Sequence, residues 1–116
     1  MTTIDQMKCE NDAPVLITDQ HGFIIYVNKS FGEVFGWSLD EIIGKSLNTV
    51  IPNSYQDSHN LGFARFGMTE QSRILNHPLR LRAVRKDGTE IMSEHFITAE
   101  QEDGQWLFGA ILRPLE

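Results

Sequence analysis

Residues 24–44 read Ile24-Ile25-Tyr26-Val27-Asn28-Lys29-Ser30-Phe31-Gly32-Glu33-Val34-Phe35-Gly36-Trp37-Ser38-Leu39-Asp40-Glu41-Ile42-Ile43-Gly44. The change of periodicity inside this stretch decides the class of fold. The apolar, β-branched run up to Val27 predicts a strand. Asn28 predicts a helix N-cap, because its side-chain oxygen can accept a backbone N–H of the next turn. Phe31, Val34 and Phe35 then share one helical face, and Gly36 predicts the stop. Ser38 with Glu41 is a capping-box pattern that opens another short helix, closed by Gly44.

Working toward the N-terminus, Ala13–Thr18 and Phe23–Val27 are apolar runs separated by Asp19-Gln20-His21-Gly22, which predicts a hairpin. Residues 1–11 are mostly polar, with Ile4 and Met7 three apart, and predict a helical cap or linker that packs against a neighbour or a second copy. Working toward the C-terminus, Ser46–Val50 predicts one further turn. The longest helical candidate runs from Asn53 to about Gly67, with Tyr55, His59, Gly62 and Phe66 on one face. Three extended segments close the chain: Leu79–Val84, then Glu90–Thr98 after the Lys86-Asp87-Gly88 turn, then Trp106–Arg113 after Asp103-Gly104. The order is two strands, several short helices, one longer helix and three strands. An α+β class with an antiparallel sheet follows, as one domain over residues 12–116.

The chain has 116 residues, 41% of them hydrophobic, which suits a single domain. A chain of this size buries roughly two thirds of its unfolded surface and needs no disulfide to hold a core. The formal net charge is −6, a balance that does not favour nucleic acid or an anionic membrane as partner. The segment from Arg73 to Lys86 runs against that trend, with basic residues and no acidic one. Cys9 is the single cysteine, so no internal disulfide forms. The histidines lack local metal-binding spacing. Neither a signal-peptide pattern nor an apolar run long enough to span a bilayer is present, and a soluble cytoplasmic protein, or a module cut from something larger, is expected. No nucleophile motif, phosphate loop or paired-carboxylate arrangement selects a catalytic set, so the chain is not expected to be an enzyme.

The segments Ile24–Asn28, Phe35–Gly44 and Arg85-Lys86-Asp87-Gly88-Thr89, in this order, resemble the PAS domain family over roughly residues 10–114. The resemblance implies a five-stranded antiparallel sheet, with short helices and one longer helix over one face enclosing a small pocket. It also implies sensing or partner-holding rather than turnover of substrate. The Asn-Cys-Arg-Phe-Leu segment of the family's flavin-linked photoreceptors is missing, so covalent light chemistry is not expected.

His59 carries the sharpest functional expectation. It lies on the apolar helical face, and Gly62 on that face costs roughly 1 kcal/mol of helix stability relative to alanine, leaving room for something flat. Imidazole is a competent axial ligand for haem iron. Arg65 is displaced about 9 Å along the axis, which suits a haem propionate. A hydrogen-bonded core histidine and close helix–sheet packing at Gly62 account for the same residues. The segment Tyr55–Phe66 further resembles the proximal-histidine helix in haem-binding PAS domains of rhizobial oxygen-sensor kinases. That resemblance implies His59 as metal ligand, Arg65 and Arg73 on the propionates, and Ile74 and Ile97 bounding the haem. Leu79 stands where those kinases carry a distal arginine. His95, expected on the inward parity of its strand with Ile91, Ser93 and Ile97, then hydrogen-bonds bound O₂ or ligates the iron. Leu79, Leu81, Ile91, His95 and Ile97 would make the distal wall.

The expected function is a b-type haem sensor of O₂, CO, NO or redox state, relaying its signal through a homodimer or a partner protein. The alternative is a haem-free PAS interaction and dimerisation module, with FAD or another small ligand, for which Trp37 and Trp106 are available. For that alternative, Met92 and Phe96, or the parity of Trp106, Phe108 and Leu112, offer an outer face to the N-terminal helix of a second copy.

Overall fold

The computed structural model describes residues 3–52 and 79–115. Ile4–Lys8 forms α1, Val15–Thr18 β1, Ile24–Val27 β2, Lys29–Phe35 α2 and Leu39–Ile42 α3. A 3-10 turn at Leu47–Val50 follows, then β3 at Leu79–Val84, β4 at Glu90–Glu102 and β5 at Gln105–Pro114. The expected helix over residues 53–67 lies outside the described residues. Among those described, the strands form one five-stranded antiparallel sheet in the order β2-β1-β5-β4-β3. The last strand is central, so the sheet closes only when the C-terminal segment inserts between β1 and β4.

The local signals perform as their chemistry requires. Asn28 caps α2 by accepting the Phe31 N–H at 3.0 Å, and Gly36 ends that helix at φ 82° with its N–H on the Gly32 carbonyl. Only a residue without Cβ adopts that left-handed conformation at little cost. Ser38 and Glu41 make the reciprocal capping box of α3. Lys86 binds Glu41 and donates its backbone N–H to the Phe35 carbonyl. The β3–β4 turn is thereby tied to both helices.

Two features differ from the sequence expectation. β4 continues past Thr98 to Glu102, because its ladder with β5 runs unbroken to the pair Glu102↔Gln105. Asp103 and Gly104, both at positive φ, reverse the chain there. β2 contains a bulge: Ile17 pairs with Tyr26 and Thr18 with Ile24, which leaves Ile25 unpaired. Ile24 and Val27, three residues apart, therefore both point into the core, while Ile25 is 45% exposed.

Each face of the sheet has its own core. On the inner face, Leu16, Ile24, Val27, Ala83, Ile91 and Leu112 pack with Phe31 and Phe35 of α2, Ile42 of α3 and Val50; the two phenylalanine rings lie 4.8 Å apart. On the outer face, Val15, Ile17 and Ile111 pack with Ile4 and Met7 of α1. A five-residue helix is not stable alone. α1 is held by its Thr3–Gln6 capping box, by burial of Ile4 and Met7, and by the Ile4 N–H donated to Glu100. The parity of β5 is now settled: Leu112 belongs to the inner core, so Trp106 and Phe108 share the inner side and the outer side carries Leu107 and Ile111 with Phe96. The expectation that Trp106, Phe108 and Leu112 offer an outer docking face is corrected accordingly. α1 covers its own sheet.

Candidate functional site

The inner face of β3, β4 and β5 brings together the predicted residues that fall among those described. Register pairs Leu81 with Ser93 and Ala83 with Ile91 across β3–β4, and His95 with Leu112 and Ile97 with Ala110 across β4–β5. Ala83, Ile91 and Leu112 are inner-core residues, so strict alternation places Leu81, Ser93, His95 and Ile97 on the same side. The backbone of Leu79 lies opposite His95. Tyr55, His59, Gly62, Arg65, Phe66, Arg73 and Ile74 lie outside the described residues.

His95 is half-buried in this wall. Its Nε2 lies 2.8 Å from the Ser93 hydroxyl, and that hydroxyl donates to the Leu81 carbonyl at 3.4 Å. Burial pushes the His95 pKa down from 6.5 to about 4, against a smaller upward pull from the Leu81 carbonyl. The ring is therefore neutral at pH 7, a polar but uncharged group set among isoleucines and leucines. Ser93 is fully buried. The sequence marks it only as a neighbour in parity, because the role of its hydroxyl depends on where the His95 ring turns.

Thr18 was not singled out from the sequence either. It pairs with Phe108 and shares the inner side with Leu16. It is 1% exposed, and its hydroxyl has no hydrogen-bond partner among the described residues. A threonine at the end of an apolar strand carries no local signal for this, since only tertiary packing decides whether its hydroxyl is met.

The tryptophans expected to serve a flavin do not converge. Trp37 sits after α2, with Lys45 and Lys86 5.8 and 5.4 Å from its ring centre. Trp106 is at the far end of β5, opposite Gln101. An open cleft of about 510 Å³, lined by Glu10, Asp12, Ser30 and Arg113 among others, contains none of the predicted residues. Among the described residues no three His, Cys, Asp or Glu side chains gather as a metal site, and no helix is long and apolar enough to cross a membrane. Ile91 and Leu112 of this wall are buried in the core cluster that includes Leu16, Phe31 and Phe35, and Ile97 is part-buried. The residues expected to ligate a haem iron and pair its propionates fall in the segment 53–78.

The comparisons agree with this architecture. The PAS-fold family model matches residues 5–112. An uncharacterised protein of Azorhizobium caulinodans is 29% identical over 102 residues, covering 87% of this chain and 14% of that protein. The sensor protein FixL of Bradyrhizobium diazoefficiens is 27% identical over 101 residues, covering 87% of this chain and 20% of that protein. The chain thus spans a fifth or less of the length of these relatives. Among solved structures, a PAS domain from Colwellia psychrerythraea superposes with a TM-score of 0.75 at 19% identity, covering 97% of this chain and 96% of that one. One from Desulfitobacterium hafniense gives 0.72 at 18% identity, covering 90% and 93%. A light-oxygen-voltage domain studied with a flavin analogue gives 0.67 at 16%, covering 90% and 78%. With the sheet order, the paired caps and the family match in agreement, this chain belongs to the PAS family of signal-sensing domains.

Proposed function

We propose that this PAS domain is a haem-free sensing and interaction module that takes a small, uncharged, largely apolar ligand against the inner face of β3–β5. Its role is to change partner or dimer contacts when that ligand arrives, without chemical turnover. The observation that carries the reading is the neutral His95–Ser93 pair in an otherwise apolar wall. A buried polar pair costs free energy unless it is met, and it is the feature by which an apolar pocket selects and orients a guest. The inner-side residues of β4 from Ile91 to Ala99, and of β5 from Trp106 to Leu112, include no Lys, Arg, Asp or Glu, which favours an uncharged guest. Similarity to light-oxygen-voltage structures makes a flavin ring the cofactor-sized candidate.

A second reading, haem held by His59 with Arg65 and Arg73 on its propionates, is favoured by the resemblance of residues 55–66 to haem-binding PAS helices and by the similarity to FixL. Here the haem would supply gas or redox chemistry, while Ile91, Ile97 and Leu112 would keep its face dry. Absorbance spectra of the purified protein, alone and after addition of haem or riboflavin, separate the readings. The first predicts only the broad absorbance of free haem on haem addition, with no sharp protein-bound Soret band, and a yellow complex with riboflavin if the guest is a flavin. A Soret band abolished by His59→Ala overturns it in favour of the second.

A further inference from the structure

We propose that His95 presents an unprotonated Nδ1 to the inner face, so that the guest bound there is one that donates an N–H or O–H. The inference rests on the reading of that face as the ligand-bearing one, and adds the hydrogen-bonding class of the ligand.

A neutral imidazole has one N–H and one lone pair, and the bond made by one nitrogen settles which is which. Nε2 of His95 lies 2.8 Å from Ser93 Oγ. The single hydroxyl proton of Ser93 is directed at the Leu81 carbonyl, leaving its lone pairs toward the ring. With that proton on the Leu81 carbonyl, the 2.8 Å contact is completed by an N–H on Nε2, on the side of Ser93. Nδ1 is then an acceptor, and among the described residues no donor meets it.

Two consequences follow for recognition. O₂, CO and NO carry no proton, so this nitrogen offers them no hydrogen bond; the distal contact expected from the sequence would require an N–H there. A flat ring bearing an N–H, by contrast, satisfies Nδ1 while its apolar faces lie on Ile97 and Ala110. Thr18 is a second polar group on the same side, buried and without a partner among the described residues. It lies about 16 Å from His95 by strand geometry, four residues along and two strands across. An elongated guest with a polar group at each end meets both.

Two measurements on the full chain test this. Long-range ¹H–¹⁵N NMR at pH 7 should show His95 with a pyrrole-type Nε2 and a pyridine-type Nδ1, and Ser93→Ala should populate the other tautomer. A wild-type ring protonated on Nδ1 overturns the proposal. The second compares indole with indene, which has the same shape but no N–H, by chemical-shift titration of the Ile91, Ile97 and Leu112 methyls. Indole should bind on the order of tenfold more tightly, the ratio expected for one hydrogen bond, and His95→Phe should erase the difference. Equal binding of the two probes by the wild type overturns the donor requirement and leaves the inner-face reading standing. Absence of any shift with either probe overturns the inner-face reading and the inference with it.

Discussion

Asn28 uses its whole side chain. Oδ1 accepts from the backbone N–H groups of Val15 and Phe31, and Nδ2 donates to the carbonyls of Glu10 and Ala13. One residue caps α2, holds the start of β1 and fastens the segment leading from α1. Asn28→Ala is expected to cost about 3 kcal/mol in urea unfolding, several times an average single hydrogen bond. Asn28→Asp discriminates further. Aspartate is as good an N-cap as asparagine, yet it would set a carboxylate oxygen against two carbonyls, so it should destabilise nearly as much; a neutral Asp variant would show that the cap alone matters. His95 supplies a pH dependence. The unfolded chain takes up the imidazole proton near 6.5, whereas burial delays uptake in the folded chain to about 4. Stability is therefore lost as pH falls through that window, by up to roughly 3 kcal/mol. His95→Phe should flatten the stability profile between pH 6.5 and 4. Among the described residues, Glu10, Glu41 and Asp87, whose carboxyls are held low by hydrogen bonds, add a further loss below about 4.5. An unchanged slope in the variant would remove His95 from the account.

Among the elements, α2 shows propensity and packing in opposition. Gly32 sits within the helix, where alanine would ordinarily add about 1 kcal/mol. A Cβ at that position would lie 2.7 Å from the Trp37 carbonyl oxygen, a backbone atom that cannot turn away. Overpacking of this kind costs about 1–3 kcal/mol, so Gly32→Ala is expected to destabilise on balance. A rise in melting temperature would show that the chain after Gly36 yields. The bulge at Ile25 is likewise an element-scale device. It re-registers β2 so that Ile24 and Val27 are both buried, which plain alternation does not anticipate.

For the whole molecule, the sheet is covered on both sides, and α1 is the smaller cover. Ile4 and Met7 are almost fully buried over Val15, Ile17 and Ile111. Gly109 lies directly beneath, where a Cβ would meet the Met7 sulfur at 2.6 Å. Burying two such side chains stabilises by about 3 kcal/mol or more. The double variant Ile4→Ser, Met7→Ser should lose that amount in urea unfolding. It should also expose the outer face, read as stronger dye binding and a concentration-dependent increase in mass by light scattering. If unfolding and mass are both unchanged, α1 contributes nothing to covering the sheet.

Much of the fold was legible because its signals are local. A cap, a helix stop or a tight turn is decided within three or four residues by hydrogen bonds and permitted φ. Asn28, Gly36, the Ser38–Glu41 box and Asp103-Gly104 could therefore be read directly, and so could the strand alternation that put Ile91, His95 and Ile97 on one side. Alternation is symmetric between the two faces of a strand, and nothing within β5 says which is inner. That was decided by α2 packing on one face and α1 on the other, from segments more than seventy residues away. The partner of His95, the unmet hydroxyl of Thr18 and the bulge at Ile25 belong to the same class. The sequence by itself determined the order of the described elements; tertiary packing alone decided which side chains face one another, because those contacts join residues that no local pattern links.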